Sequence, residues 1–299
     1  MATYVLYNSL AGNSTCESKL SELEKHLQGK EYTMLSTADI GGYAQFMNEL
    51  RLEDEIILCG GDGTLNRFVN ETADIEIRNT VLYYAAGSGN DFLKDLNKPN
   101  GAAPFSINDY IKSLPVITVN GKTSRFINAI GYGIDGYCSE EGDKIRAKSP
   151  GKRVNYAPIA IKGALYGYIP VNATVIVDGV ERHYTKVWLA PTMHGRFFGG
   201  GFMMAPAQDR MNSEGKVTVV VGHDISRLGV MKIFPTIFKG THVKYKKNLD
   251  FIEGDEITIR FDKPCALQID GETVPAVTEY SVMSSGRVRE SCRKPVAAL

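Results

Sequence analysis

The chain has 299 residues, enough for two domains of ordinary size that each bury a core. Lys plus Arg and Asp plus Glu both number 34, so no global field draws the protein to nucleic acid, and any basic surface must be local. Five scattered cysteines, Cys16, Cys59, Cys138, Cys265 and Cys292, include no C-x-x-C pair and are odd in number, so neither a disulfide framework nor a zinc site is signalled and a reducing cytoplasm fits.

Thr3–Tyr7 reads as a strand rather than a basic leader, so no secretory signal is expected. Ser14-x-x-Glu17 forms a capping box, after which Cys16, Leu20, Leu23 and Leu27 fall near one helical face. Glu55–Cys59 is a second buried strand. Leu65, Phe68, Val69 and Thr72 give the spacing of a following helix, and Val81–Ala85 is a further strand. Strands alternating with helices predict an α/β domain with a doubly wound, mostly parallel sheet.

From about residue 116 the rhythm changes. Val116–Val119 and Ser124–Ile130 flank Asn120-Gly121, and Val171 to Val177 alternate up to Asp178-Gly179, so both read as hairpins. Strand-like runs follow at Val187–Ala190, Lys216–Val221, Glu256–Phe261, Ala266–Ile269 and Tyr280–Met283. This half is expected to be a β-rich, sandwich-like domain interrupted by helices over Asn155–Tyr168 and after Ser226. The expected division is 1–118, a nucleotide-binding α/β domain; 119–285, a β-rich lipid-binding domain; and 286–299, a tail that could return to the first domain. No apolar run approaches the roughly 20 residues of a membrane-spanning helix.

The sharpest chemical signal is Gly60-Gly61-Asp62-Gly63-Thr64, between a buried strand and an amphipathic helix. Strand ends of an open α/β sheet are where ligands bind, and a helix N-terminus offers free N–H groups to a phosphate. Glycine lets the backbone approach that phosphate closely. A second turn, Gly87-Ser88-Gly89-Asn90-Asp91-Phe92, follows the next strand, so the two can face one site. Asn8 to Gly12, after the first strand, either completes the cradle or is a plain strand-to-helix turn.

GGDGTLN followed by a helix and then GSGNDF resembles the diacylglycerol kinase catalytic domain shared by bacterial lipid kinases, sphingosine kinases and ceramide kinases. The second half carries the resemblance onward. Phe126-Ile127-Asn128 is followed by Gly131 and Gly133, Gly199-Gly200-Gly201 by Ala205-Pro206 and Glu214-Gly215, and Gln268-Ile269-Asp270-Gly271-Glu272 comes near the end. The resemblance implies an ATP site in a cleft between domains, built from Asn8 to Gly12, Thr37, Gly60, Gly61, Asp62, Gly63, Thr64, Asn66 and the turn Gly87, Ser88, Gly89, Asn90. It also implies Mg²⁺ organised by Asp62 and Asp91, and Glu272 as proton acceptor with Asp270 beside it. Glu214 replaces the aspartate of a second, structural metal site in the family, with a solvated turn carboxylate as the competing reading. The implied partner is a lipid hydroxyl at a membrane surface, phosphorylated by a cytoplasmic enzyme that touches the inner face transiently and could be a homodimer; no nucleic acid is implied.

Several residues stay open between roles. Asp270-Gly271 is also an ordinary hairpin turn. Lys244, Lys246 and Lys247 could face anionic lipid or be a solvated face. Phe197, Phe198, Phe202, Met203 and Met204 could touch lipid or pack a core. Arg67 stands where the family commonly has Glu, and Pro115 lies near a strand that an acid usually opens, with Asp109 the nearest upstream carboxylate. These departures keep two other readings alive, an NAD kinase-like enzyme and a catalytically weakened nucleotide-binding regulator. His26, His183, His194, His223 and His242 show no ligand spacing.

Overall fold

The computed structural model describes residues 1–8, 15–149 and 154–293. Ser14 of the capping box and residues 9–12 of the first turn, Gly12 among them, lie outside the described residues. The chain divides into two compact units, Met1–Lys112 and Ser113–Leu299.

In the first unit, β1 (Thr3–Tyr7), α1 (Thr15–His26), β2 (Thr33–Ser36), α2 (Tyr43–Glu49), β3 (Glu55–Gly60), α3 (Asp62–Glu71), β4 (Thr80–Ala85), α4 (Asp91–Asp95), β5 (Phe105–Ser106) and α5 (Asn108–Ile111) alternate. The strand order is β2-β1-β3-β4-β5, parallel throughout except for the antiparallel edge strand β5. Ile56, Ile57 and Leu58 are all fully buried, as expected of a central parallel strand covered on both faces, which reads as a continuous apolar run. Leu65, Phe68, Val69 and Thr72 all face inward from α3 or its C-cap. Phe68 meets the Tyr43 ring of α2 edge to face at 5.2 Å, and its burial contributes about 2–3 kcal/mol.

The register fixes where loops emerge. Tyr7 pairs with Ser36 and Cys59, and Gly60 pairs with Ala85, so four parallel strands end along one edge of the sheet. The segments after β1, β2, β3 and β4 therefore leave side by side.

The second unit comprises β6 (Val116–Val119), β7 (Lys122–Arg125), β8 (Ala129–Tyr132), α6 (Ile134–Lys148), α7 (Tyr156–Lys162), a π-helical turn (Gly163–Gly167), β9 (Val171–Val177) and β10 (Val180–Val187). Beyond these come β11 (Thr192–Met193), β12 (Phe197–Phe198), β13 (Phe202–Met203), β14 (Val217–Gly222), α8 (Arg227–Ile237), a 3₁₀ turn (Thr241–Lys244), β15 (Leu249–Gly254), β16 (Glu256–Ile269), β17 (Glu272–Met283) and α9 (Ser285–Arg293). The main sheet is antiparallel and follows the path β15-β14-β11-β8-β16-β17-β6-β7, with β9 and β10 branching from β16. The first half of β16 pairs with β9 and the second with β8, across register shifts between Arg260 and Leu267. One strand thus serves two layers, and Val175, Ile259, Tyr132 and Leu267 from both halves share a core.

Several expectations are corrected here. The runs Glu256–Phe261 and Ala266–Ile269 are one strand, β16, because the shifts bend it without ending it. Ser124–Ile130 is broken, since the N–H groups of 127–129 donate to a side chain instead of a ladder. Val187–Ala190 is no strand: beyond the end of β10, Leu189 makes only isolated bridges to Gly133 and Gly222. The predicted helix over Asn155–Tyr168 is α7 running into the π turn. Asn120-Gly121 and Asp178-Gly179 are both left-handed hairpin turns, as the dipeptides demand.

Candidate active site

At the carboxyl edge of the first sheet the two glycine turns touch. A Cβ on Gly87 would stand 2.5 Å from the Gly61 Cα, and one on Gly61 would stand 3.0 Å from the Gly87 Cα, so each glycine exists for the other's backbone. Gly60 is required by a different neighbour, the Thr64 side chain folded back over it. Gly63 differs from all three: among the described residues nothing lies within 4 Å of its missing Cβ. Among the described residues the space above the first turn of α3 is open at Gly63, while the Thr64 and Leu65 N–H groups donate to the Gly61 carbonyl at 3.0 and 3.2 Å.

Asp62 ties the turns together. Its carboxylate accepts hydrogen bonds from the N–H groups of Asp91 and Phe92, both at 3.0 Å, and so caps α4 from the neighbouring loop. Asn90 occupies the left-handed region at φ 51° and donates from Nδ2 to the Gly87 carbonyl at 2.8 Å. Its Oδ1 is buried and has no hydrogen-bond partner among the described residues. Beneath, the Tyr83 hydroxyl is buried, also without a partner among the described residues, and burial, reinforced by the Asp62 charge, pushes its ionisation well up. Asp91 is buried, with the Lys94 ammonium 3.5 Å away.

Of the other residues expected here, Thr37 is buried and its N–H donates to the Tyr7 carbonyl at 2.9 Å, placing it beside the end of β1 with Asn8. Ser88 is exposed at the tip of the second turn, next to Gly89. Asn66 faces along α3, where it accepts from Asn70 Nδ2. Arg67 points away from the glycine turns: it is paired with Glu71 at 2.5 Å and lies over the Tyr43 ring.

The second unit brings together another acidic turn. Asp270 and Gly271, at φ 46° and 99°, make the two-residue hairpin between β16 and β17. The Asp270 carboxylate accepts from the N–H groups of Ile127 at 2.6 Å, Asn128 at 2.8 Å and Ala129 at 3.0 Å, while its own N–H donates to the Ala129 carbonyl. Glu272, at the start of β17, is exposed. Glu214 is exposed and paired with Lys216 at 2.5 Å. Asp109 is exposed in the first turn of α5. Phe202 packs on Phe198, Phe234 and Phe238, and Phe198 and Met204 are buried, which assigns that aromatic group to a core.

Sequence reasoning missed Asp135, in the first turn of α6. Its Oδ2 is sealed without a partner among the described residues, and burial pushes the carboxyl up to about 7. Gly131-x-Gly133 just before it was the available signal, since backbone crowding there, with Gly133 against Trp188, folds the helix start inward.

Among the described residues no three His, Cys, Asp or Glu side chains gather into a metal cage. That does not conflict with Mg²⁺, which is commonly held by one or two carboxylates together with substrate phosphates. The oxygen-only set at the glycine turns, the unpartnered Asn90 Oδ1 with Asp91 and Asp62, suits such an ion.

These features define a class: an α/β nucleotide-type cradle joined to a β-rich domain. Comparison with known proteins makes it particular. The model of the diacylglycerol kinase catalytic domain matches residues 2–118, and that of the YegS C-terminal NAD kinase beta sandwich-like domain matches residues 128–288. The chain belongs to the diacylglycerol kinase family defined by these two domains. It is 26% identical over 198 residues to a diacylglycerol kinase of Mycobacterium tuberculosis, a match covering 64% of this chain and 62% of the relative's length. It is 34% identical over 137 residues to a diacylglycerol kinase of Bacillus subtilis, covering 43% and 45%. A diacylglycerol kinase structure from Bacillus anthracis shares the fold, with a TM-score of 0.65 at 20% identity over 95% of each chain.

Proposed function

We propose that the protein is an ATP-dependent lipid kinase that moves the γ-phosphoryl group of ATP to the hydroxyl of diacylglycerol or a related lipid, giving phosphatidic acid or its analogue. The observation that carries this reading is the contact of the two glycine turns, clasped by Asp62, beneath open space at Gly63. Backbone N–H groups at the start of α3 bind and orient the triphosphate. Mg²⁺, held by Asp62, Asp91 and Asn90 with the phosphates, would neutralise their charge. Phosphoryl transfer has a loose transition state, so positioning and charge neutralisation outweigh the base.

In the transfer the lipid oxygen forms the new P–O bond, the bond to the ADP oxygen breaks, and the hydroxyl proton passes to a carboxylate. Glu272 is the better acceptor than Asp270, because it is exposed while Asp270 holds three backbone N–H groups. The same bonds leave Asp270 the part of fixing Glu272's turn.

Incubating the purified chain with ATP, Mg²⁺ and a mixed lipid extract, then analysing lipids by mass spectrometry, tests the reading and names the acceptor. A new phosphomonoester lipid is expected. ATP binding with no lipid product from any extract would favour a regulator, and NADP formed from NAD would favour the NAD kinase-like reading.

A further inference from the structure

Each backbone polar group of Ile127, Asn128 and Ala129 has a partner, as a buried turn requires. Their N–H groups all go to the Asp270 carboxylate. The Asn128 carbonyl accepts from the N–H groups of His194 at 2.9 Å and Gly195 at 3.0 Å, and the Ala129 carbonyl from that of Asp270 at 3.0 Å. The Ile127 carbonyl is bonded by a side chain instead. Arg210 Nη1 donates to it at 3.2 Å, while Nη2 donates to Asn128 Oδ1 at 3.0 Å.

Arg210 is only 7% exposed. Burying a guanidinium is costly unless its rigid fork meets acceptors, and a site that needed only filling would take an apolar side chain as well or better. Here both arms are matched on consecutive residues, 83 and 82 positions upstream. The segment that presents Arg210 is fastened on either side of it. Before it, Gln208 Nε2 donates to the Lys216 carbonyl at 3.0 Å and Gln208 Oε1 accepts from the Thr218 hydroxyl at 2.5 Å. After it, Asn212 Oδ1 accepts from the Lys216 N–H at 2.9 Å and Nδ2 donates to the carbonyls of Asp209 at 2.7 Å and Lys216 at 3.0 Å. The fork therefore reaches 127–128 from a fixed base.

Asp270 and Arg210 thus hold one short segment by opposite groups, an acid on its N–H side and a cation on its oxygen side. Asp270 also opens the turn that carries Glu272, where the Gly271 N–H donates to Gln268 Oε1 at 2.6 Å. Any displacement of 127–129 passes to that turn through the Asp270 bonds.

We infer that Arg210 is a positioning residue for phosphoryl transfer: by fixing 127–129 it sets the place of Asp270, and with it that of the Glu272 carboxylate. Arg210 itself does not meet the reacting atoms. The inference rests on the lipid-kinase reading, with Glu272 as proton acceptor.

Hydrogen exchange read by mass spectrometry tests the hold without reference to activity. In Arg210→Met the amides of 127–129 and of 268–273 should exchange at least about tenfold faster than in wild type, while those of α3 keep their rates. Steady-state kinetics on diacylglycerol should show kcat about tenfold lower, short of the loss from Glu272→Gln, with an unchanged KM for ATP. Because Arg210 acts through Glu272, adding Arg210→Met to Glu272→Gln should lower kcat no more than about twofold further. A merely structural role would multiply the two losses. Arg210→Lys keeps the charge but not the fork, so it should show the same pattern more mildly, and it carries the measurements if Arg210→Met does not fold. Unchanged exchange at 268–273, or full multiplication of the two losses, overturns the inference. A wild-type chain that makes no phospholipid, while exchange at 268–273 still depends on Arg210, removes the kinase reading and leaves the hold standing. An active kinase whose turn ignores Arg210 removes the hold alone.

Discussion

Two aspartates at glycine turns, Asp62 after β3 and Asp270 before β17, perform the same mechanical act in different units. Each accepts consecutive backbone N–H groups from a distant segment, two for Asp62 and three for Asp270. Their surroundings differ. Beside Asp62 lie an unpartnered Asn90 oxygen and the open space at Gly63, whereas the turn at Asp270 is an ordinary left-handed hairpin whose exposed acid is Glu272. An acid in a glycine turn is therefore no proof of chemistry; what it leaves open around itself decides.

The comparison breaks most sharply at Asp62. Asp62→Ala should reduce lipid phosphorylation on the order of 10⁴-fold, because both the clasp on α4 and the charge proposed to organise the phosphates disappear. Glu272→Gln should lose about 10²–10³-fold in kcat with little change in ATP affinity, measured by steady-state kinetics. Equal losses would contradict the division of roles. Asp270→Ala should act chiefly on stability, since three N–H groups lose their acceptor: roughly 3 kcal/mol or more in denaturant unfolding. An Asp270→Ala protein of full stability would mean the clasp is idle.

The smallest effect expected is one of pH. Burial pushes the Asp135 carboxyl from its ordinary value of 3.8 up to about 7, so the folded state binds more protons between those values and stability falls as pH rises through 7. Asp135→Asn should match wild type near pH 4 and exceed it by on the order of 2–4 kcal/mol at pH 8. A wild-type stability that does not decline over this range more than the variant's would remove the sealed Asp135 oxygen from the account.

The parallel strands were legible because central strands covered on both faces must be apolar throughout, as Ile56 to Leu58 are. The glycine turns were legible because close backbone approach leaves no other residue type, as Gly61 and Gly87 show. Helix α6 was not. Gly136 lies in its first turns because a Cβ there would run into the Ala266 carbonyl, and Gly142 is pressed against Tyr156, so tertiary packing overrides helix propensity. The clasp of Asp270 on residues 127–129 joins segments more than 140 positions apart, which no local pattern encodes. For α7 the periodicity marked a helix, but Ile159 is buried beside Ala160 and Ala164 while Ile161, Leu165 and Tyr166 stay exposed, so apolar residues on both sides blur the rule that assigns one stripe to the core.

Gly63 offers the most direct test of the cradle, because a Cβ there meets nothing within 4 Å among the described residues, so a side chain is aimed into the space assigned to the phosphates. Calorimetric titration of ATP with Mg²⁺ into Gly63→Leu should show affinity reduced at least about tenfold, while its folding stability is retained or raised by roughly 0.5–1 kcal/mol. A well-folded Gly63→Leu protein that binds ATP as tightly as wild type would contradict the account.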